Sequence, residues 1–70
     1  MDIKTFKREA VRVFKKSNPS DTRITWVMEP EHITYPTGLQ GWRGRFTAEA
    51  KGFRTRTLTA TFDEGDWMVR

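Results

Sequence analysis

Residues 42–70 read WRGRFTAEAKGFRTRTLTATFDEGDWMVR, and this stretch decides the fold. Polar and apolar residues alternate with period two through both long runs, the pattern of strands with one face buried. Pairing tests the reading. With Lys51-Gly52-Phe53 as a three-residue hairpin loop and Gly52 free to take positive φ, Ala50 faces Arg54. Trp42 then meets Phe62, Gly44 meets Ala60, Phe46 meets Leu58 and Ala48 meets Arg56, an apolar ladder on one face. The other face carries Arg43 with Thr61, Arg45 with Thr59, Thr47 with Thr57 and Glu49 with Thr55. A slip of one residue would strand Leu58 and Phe62 in water.

The next turn gives the same buried face. With Glu64-Gly65 as a two-residue loop, Asp63 faces Asp66, Phe62 faces Trp67 and Ala60 faces Val69, while Met68 and Arg70 go to the polar face. Two turns that agree on one core face are the consistency expected of a foldable chain. The opposed Asp63 and Asp66 are a mild cost, because like charges across a ladder repel.

Upstream, Asp2 is placed to cap a helix over Ile3 to Lys16. Ile3, Phe6, Ala10, Val13 and Phe14 recur at helical spacing and share one face. Lys4, Arg8, Arg12 and Lys15 lie opposite, with Lys7 and Lys16 nearer the margins. Asn18 reads as the C-cap and Pro19 as the stop. After a turn at Ser20-Asp21, a first strand is predicted from Arg23 to Glu29, with Ile24, Trp26 and Met28 on one side, and with Pro30 ending it. Residues 30–41 contain two Pro and two Gly and read as a loop, in which Ile33-Thr34-Tyr35 offers a short extra strand.

The expected fold is therefore α+β: one N-terminal amphipathic helix laid over a four-stranded antiparallel meander, as a single domain over residues 1–70. The element order is similar to the helix-grip arrangement of cystatin-like folds. Its α-β-β-β opening also resembles double-stranded-RNA-binding domains, in which a final helix supplies basic contacts; here a fourth strand stands in its place. These similarities of order rest on no shared motif and imply no function.

Seventy residues bury only about 60% of their unfolded surface, so the core must rest on large anchors, which three Trp, five Phe and one Tyr supply. No Cys is present, which excludes disulfides, thiolate zinc sites and a Cys nucleophile. No apolar run is long enough to span a bilayer, and the charged N-terminus lacks the apolar stretch of a secretory signal, so the cytoplasm is the default compartment. The net charge of +4 is unevenly spread. Residues 1–16 hold six basic and two acidic groups, and residues 42–58 five and one, a net +4 in each block. The intervening and final segments are acidic. Such blocks speak about partners and not about fold.

Two surfaces carry the cationic signal. Arg43 and Arg45 sit on the polar face of the hairpin, with Lys51, Phe53, Arg54 and Arg56 gathered toward its tip. Lys4, Arg8 and Arg12 line the helix. An exposed aromatic among cations suits single-stranded nucleic acid, through base stacking and backbone charge. Lys51-Gly52-Phe53 resembles the first three positions of the RNP1 pattern, from which Arg54-Thr55 departs. Equally, Gly52 simply makes the turn and the Thr/Arg face is a soluble strand surface. Tyr35, Leu39 and Trp42 form a candidate apolar contact for a protein partner. The sole histidine, His32, has no nucleophile or carboxylate at a telling spacing, and the Asp63, Glu64 and Asp66 cluster reads as a charged turn and not as a metal loop. The expectation is a non-enzymatic module without cofactor or metal. It binds a protein partner or self-associates through a strand edge, and the alternative is single-stranded nucleic-acid binding by the hairpin and the basic helix face.

Overall fold

The computed structural model describes residues 1–50 and 55–70. Its elements are α1 (Ile3–Ser17), β1 (Asp21–Thr34), β2 (Gln40–Ala50), β3 (Arg56–Asp63) and β4 (Asp66–Val69). The strands form one antiparallel sheet in the order β1-β2-β3-β4, and α1 packs on one side of it.

The helix starts where its first free amides find an acceptor. Asp2 accepts from the Thr5 amide at 2.7 Å through Oδ1, and its carbonyl takes the Phe6 amide at 2.9 Å. That first bond, helped by the Thr5 side chain, holds the Asp2 carboxyl below the usual aspartate value. At the other end Asn18 donates from Nδ2 to the Phe14 carbonyl at 3.1 Å and accepts from Arg56 at 3.0 Å. Asn18 thus ends the helix by covering an orphan carbonyl with its side chain.

The β2–β3 ladder has the register that alternation requires, from Trp42↔Phe62 through Gly44↔Ala60 and Phe46↔Leu58 to Ala48↔Arg56. The β3–β4 ladder likewise pairs Asp63↔Asp66, Phe62↔Trp67 and Ala60↔Val69. Glu64 at φ 49° and Gly65 at φ 84° make the two-residue turn, whose positive dihedrals match the twist of the strands it joins. The hairpin loop expected at Lys51-Gly52-Phe53, with its Ala50–Arg54 pair, lies outside the described residues.

Strand β1 departs from expectation. Pro30 does not end it: the strand begins at Asp21 and runs to Thr34, and only residues 35–39 separate it from β2. Most of the expected loop 30–41 is thus sheet. The ladder accommodates Pro30 by register shifts between Trp26 and Met28 and between Met28 and Glu31. An edge strand tolerates a proline because one side of its backbone needs no sheet partner, and a bulge absorbs the extra residue. The shifts also re-aim side chains. Trp26 stays opposite Phe46 under the helix, whereas Met28 falls opposite Arg45 and so on the other face from the one expected.

The core consists of Phe6, Ala10 and Phe14 from the helix against Phe46, Ala48, Leu58 and Ala60. Ile24, Trp26, Trp42, Phe62, Trp67 and Val69 pack round it. Phe6 is its hub, with ring centroids 5.0 Å from Trp67 and 6.1 Å from both Trp26 and Trp42. Ile3, expected on the buried stripe, is exposed at the first helical position, and Val13 is only half-buried.

Candidate functional site

With the helix on one side, the other face of the sheet has no covering layer among the described residues. Alternation decides what stands there. In β2, Trp42, Phe46 and Ala48 belong to the helix side, so Arg43, Arg45 and Thr47 point away from it. Their ladder partners follow: Thr61, Thr59 and Thr57 on β3. On β4, Met68 lies opposite Thr61, and Arg70 exchanges both backbone hydrogen bonds with Thr59, at 3.0 and 3.1 Å. Arg43, Thr59, Thr61, Met68 and Arg70 line a shallow depression of about 370 Å³ in this face. Met68 is 47% exposed in it.

The charges of this face are unequally matched. Arg43 meets Glu31 across the β1–β2 ladder at 3.4 Å, and Arg23 meets Glu49 at 4.0 Å. Arg45 donates from Nε to the Thr59 hydroxyl at 3.4 Å. Among the described residues neither Arg45 nor Arg70 has a carboxylate within ion-pair distance. The face therefore offers two guanidinium groups, each able to take a carboxylate or phosphate in a forked hydrogen bond, beside threonine hydroxyls that both donate and accept.

One end of β2 is closed by a polar contact. Tyr35 donates its hydroxyl to Asp63 Oδ1 at 2.9 Å, and this bond raises the tyrosine above its ordinary pKa. Gly41, opposite Asp63, leaves the space the carboxylate fills; a Cβ on Gly41 would collide with Asp63 Oδ1. The turn itself is closed by the Tyr35 amide on the Leu39 carbonyl at 2.8 Å and by Gly38 on Tyr35 at 2.9 Å.

The described cations divide between the two sides of the sheet. Lys4, Arg8 and Arg12 are exposed on the helix, where Arg12 meets Glu9 at 2.7 Å and Lys7 meets Glu29 at 2.9 Å. Arg56 belongs to that layer as well, its guanidinium 5.4 Å from the Phe14 ring centroid and bonded to Asn18. Arg43 and Arg45 stand on the opposite side of the sheet. Lys51, Phe53 and Arg54 lie outside the described residues. Tyr35, Leu39 and Trp42 do not form one patch. Trp42 turns to the helix side against Phe6 and takes His32 edge-on at 5.6 Å, Tyr35 is tied to Asp63, and Leu39 is exposed at the turn.

Sequence reasoning places Met68 and Arg70 on the polar face but does not make them part of a site. The Glu64-Gly65 turn carries the signal, since its two-residue length fixes both opposite Thr61 and Thr59. Glu31, the counter-ion of Arg43, is hidden by the bulges that shift its register. Comparison with models of protein families, with curated proteins and with solved structures found no match for this chain. No helix among the described residues is long and apolar enough to cross a membrane.

Proposed function

We propose that the protein is a small, non-enzymatic binding module that takes an acidic polypeptide segment on the open face of its sheet. The observation that carries this reading is Arg70 in the depression with Thr59, Thr61 and the exposed Met68, together with Arg45 beside it on Thr59, neither arginine having an acidic partner among the described residues. Two unneutralised guanidinium groups beside an apolar side chain suit a segment of mixed acidic and apolar character.

The placement of the aromatics favours polypeptide over single-stranded nucleic acid. A sheet face that binds bases needs rings on which successive bases stack. Of the nine aromatic residues, Phe6, Phe14, Trp26, Trp42, Phe46, Phe62 and Trp67 belong to the core and its rim on the helix side. Tyr35 is engaged with Asp63, and Phe53 lies outside the described residues. The separation of the helix cations from Arg43 and Arg45 also argues against one continuous track for a phosphate backbone.

The test is fluorescence anisotropy with two labelled probes, a Glu/Leu decapeptide and a thymidine oligonucleotide, at low and at physiological salt. The expected result is peptide binding that persists at physiological salt, is lost in Arg45→Glu, and survives Lys15→Glu on the helix. Oligonucleotide binding that depends on Arg45 would replace this reading with nucleic-acid binding. Binding of either probe that depends only on Lys15 would remove the open face from consideration.

A further inference from the structure

The sheet has two outer edges, and only one is blunted. Strand β1 carries Pro30, three register shifts and the Lys7–Glu29 ion pair, devices that spoil an edge as a template for another strand. Strand β4 has no proline, and its ladder with β3 runs without a shift. Because Thr59 and Arg70 exchange both backbone hydrogen bonds, the alternation of an antiparallel ladder turns Met68 toward β3 as well. The N–H and C=O groups of Trp67 and Val69 therefore point outward from the edge of the sheet.

We propose that two copies of this chain pair antiparallel through their β4 edges, about a two-fold axis at Met68, to join their sheets into one. In this register Trp67 of each copy lies opposite Val69 of the other. Both outward-pointing residues then exchange their two hydrogen bonds. Asp66 of each copy meets Arg70 of the other on the open face, and the exposed Met68 meets itself. Opposite charges across a ladder attract, and an isologous contact makes every such pair twice. The neighbouring registers lack this match. Centring on Trp67 leaves Val69 without its outward partner and sets Asp66 against Met68. Centring on Val69 sets Met68 against Arg70 and so parts Asp66 from Arg70.

The axis stands normal to the sheet, so both helices fall on one side and both open faces on the other. Arg45 of the two copies then belongs to one surface. This inference concerns the strand edge and its own charges and does not rest on the acidic-segment reading. In the dimer Asp66 of the other copy takes Arg70, so an acidic segment competes with the second copy for that guanidinium. Among the described residues it then finds only Arg45 without a carboxylate on the joined face. Four-residue edges bury little area, so the association is weak, with dimer forming over about 10 µM to 1 mM.

Sedimentation equilibrium across that range tests it, with four proteins: wild type, Asp66→Arg, Arg70→Asp and the double exchange. Wild type is expected to move from 8.3 kDa toward twice that mass. Each single change should raise the dissociation constant about tenfold or more, because two symmetry-related pairs turn from attraction to repulsion. The double exchange should restore association. Asp66→Arg also removes the like-charge pair with Asp63, so a dimer lost in this variant is not a hairpin lost, and far-UV circular dichroism checks this. Amide exchange at Trp67 and Val69 should slow as concentration rises. A wild type monomeric throughout, single variants that still dimerise, or a double exchange that fails to recover would each overturn the proposal.

Discussion

Tyr35 and Asp63 are joined by a 2.9 Å hydrogen bond that ties the turn after β1 to the end of β3, across Gly41 on the strand between them. The bond exists only because position 41 has no side chain. Gly41→Ala sets a methyl group where the Asp63 carboxylate lies and close to the Phe62 carbonyl, so it should destabilise by about 1–3 kcal/mol. Tyr35→Phe should cost less, and the two changes should be non-additive because both act through Asp63. Urea unfolding of the two single variants and the double variant measures this.

The same bond gives stability an alkaline limb. Tyr35 has a raised pKa through its hydrogen bond to Asp63. A group raised on folding contributes fully below its unfolded value and loses that contribution as pH climbs through the folded one. Thermal stability should therefore fall above about pH 10, and Tyr35→Phe should flatten the fall. At the acid end the sign reverses. Asp2 is lowered by the Thr5 amide, so its contribution is present above the ordinary aspartate value and disappears as pH drops through the folded one. Asp2→Asn, which keeps an acceptor for the helix, should lessen that acid loss in the helical circular dichroism signal.

Gly44 lies against three rings on the helix side of the sheet. A Cβ there would stand 2.9 Å from the Trp26 ring, 3.2 Å from Phe6 and 3.2 Å from Pro30. Three rings cannot all retreat in a packed interior. Gly44→Ala should cost about 1–3 kcal/mol, read from the denaturation midpoint at unchanged m-value.

Phe46 has no exposed surface and touches both Phe14 and Trp26, at centroid distances of 5.4 and 5.0 Å. Phe46→Ala should remove about 3–5 kcal/mol, enough to leave so small a domain largely unfolded. A thermal transition unmoved by this change would contradict the core described here.

The two C-terminal ladders were legible because period-two alternation with one apolar face admits a single register, which the Glu64-Gly65 turn also pins for β3 and β4. Trp42, Phe46, Leu58, Phe62 and Trp67 can share a face in only one pairing. Strand β1 was less legible for a physical reason. Pro30 stops a strand only where both backbone edges are needed, and edge position is a property of the assembled sheet. The bulges flanking Pro30 moved Met28 to the open face and brought Glu31 to Arg43, contacts that no fixed period reveals. Arg43 and Arg45 could be assigned to the polar face from alternation alone. Their separation from the helix cations depends on which side α1 occupies, which the apolar stripe of Phe6, Ala10 and Phe14 does settle once the sheet face is known.

The contact between the tilted rings of Phe6 and Trp67 has a kinetic meaning. Every strand ladder joins sequence neighbours, so the meander can assemble by closing short loops. Contact between the first helix and the last strand closes almost the entire chain, and it becomes favourable only when β4 is already in place. Shortening Trp67 should therefore quicken unfolding while leaving the refolding limb of the chevron nearly unchanged. The contact of α1 with β4 is thus expected to form late in folding and to govern how long the native state lasts.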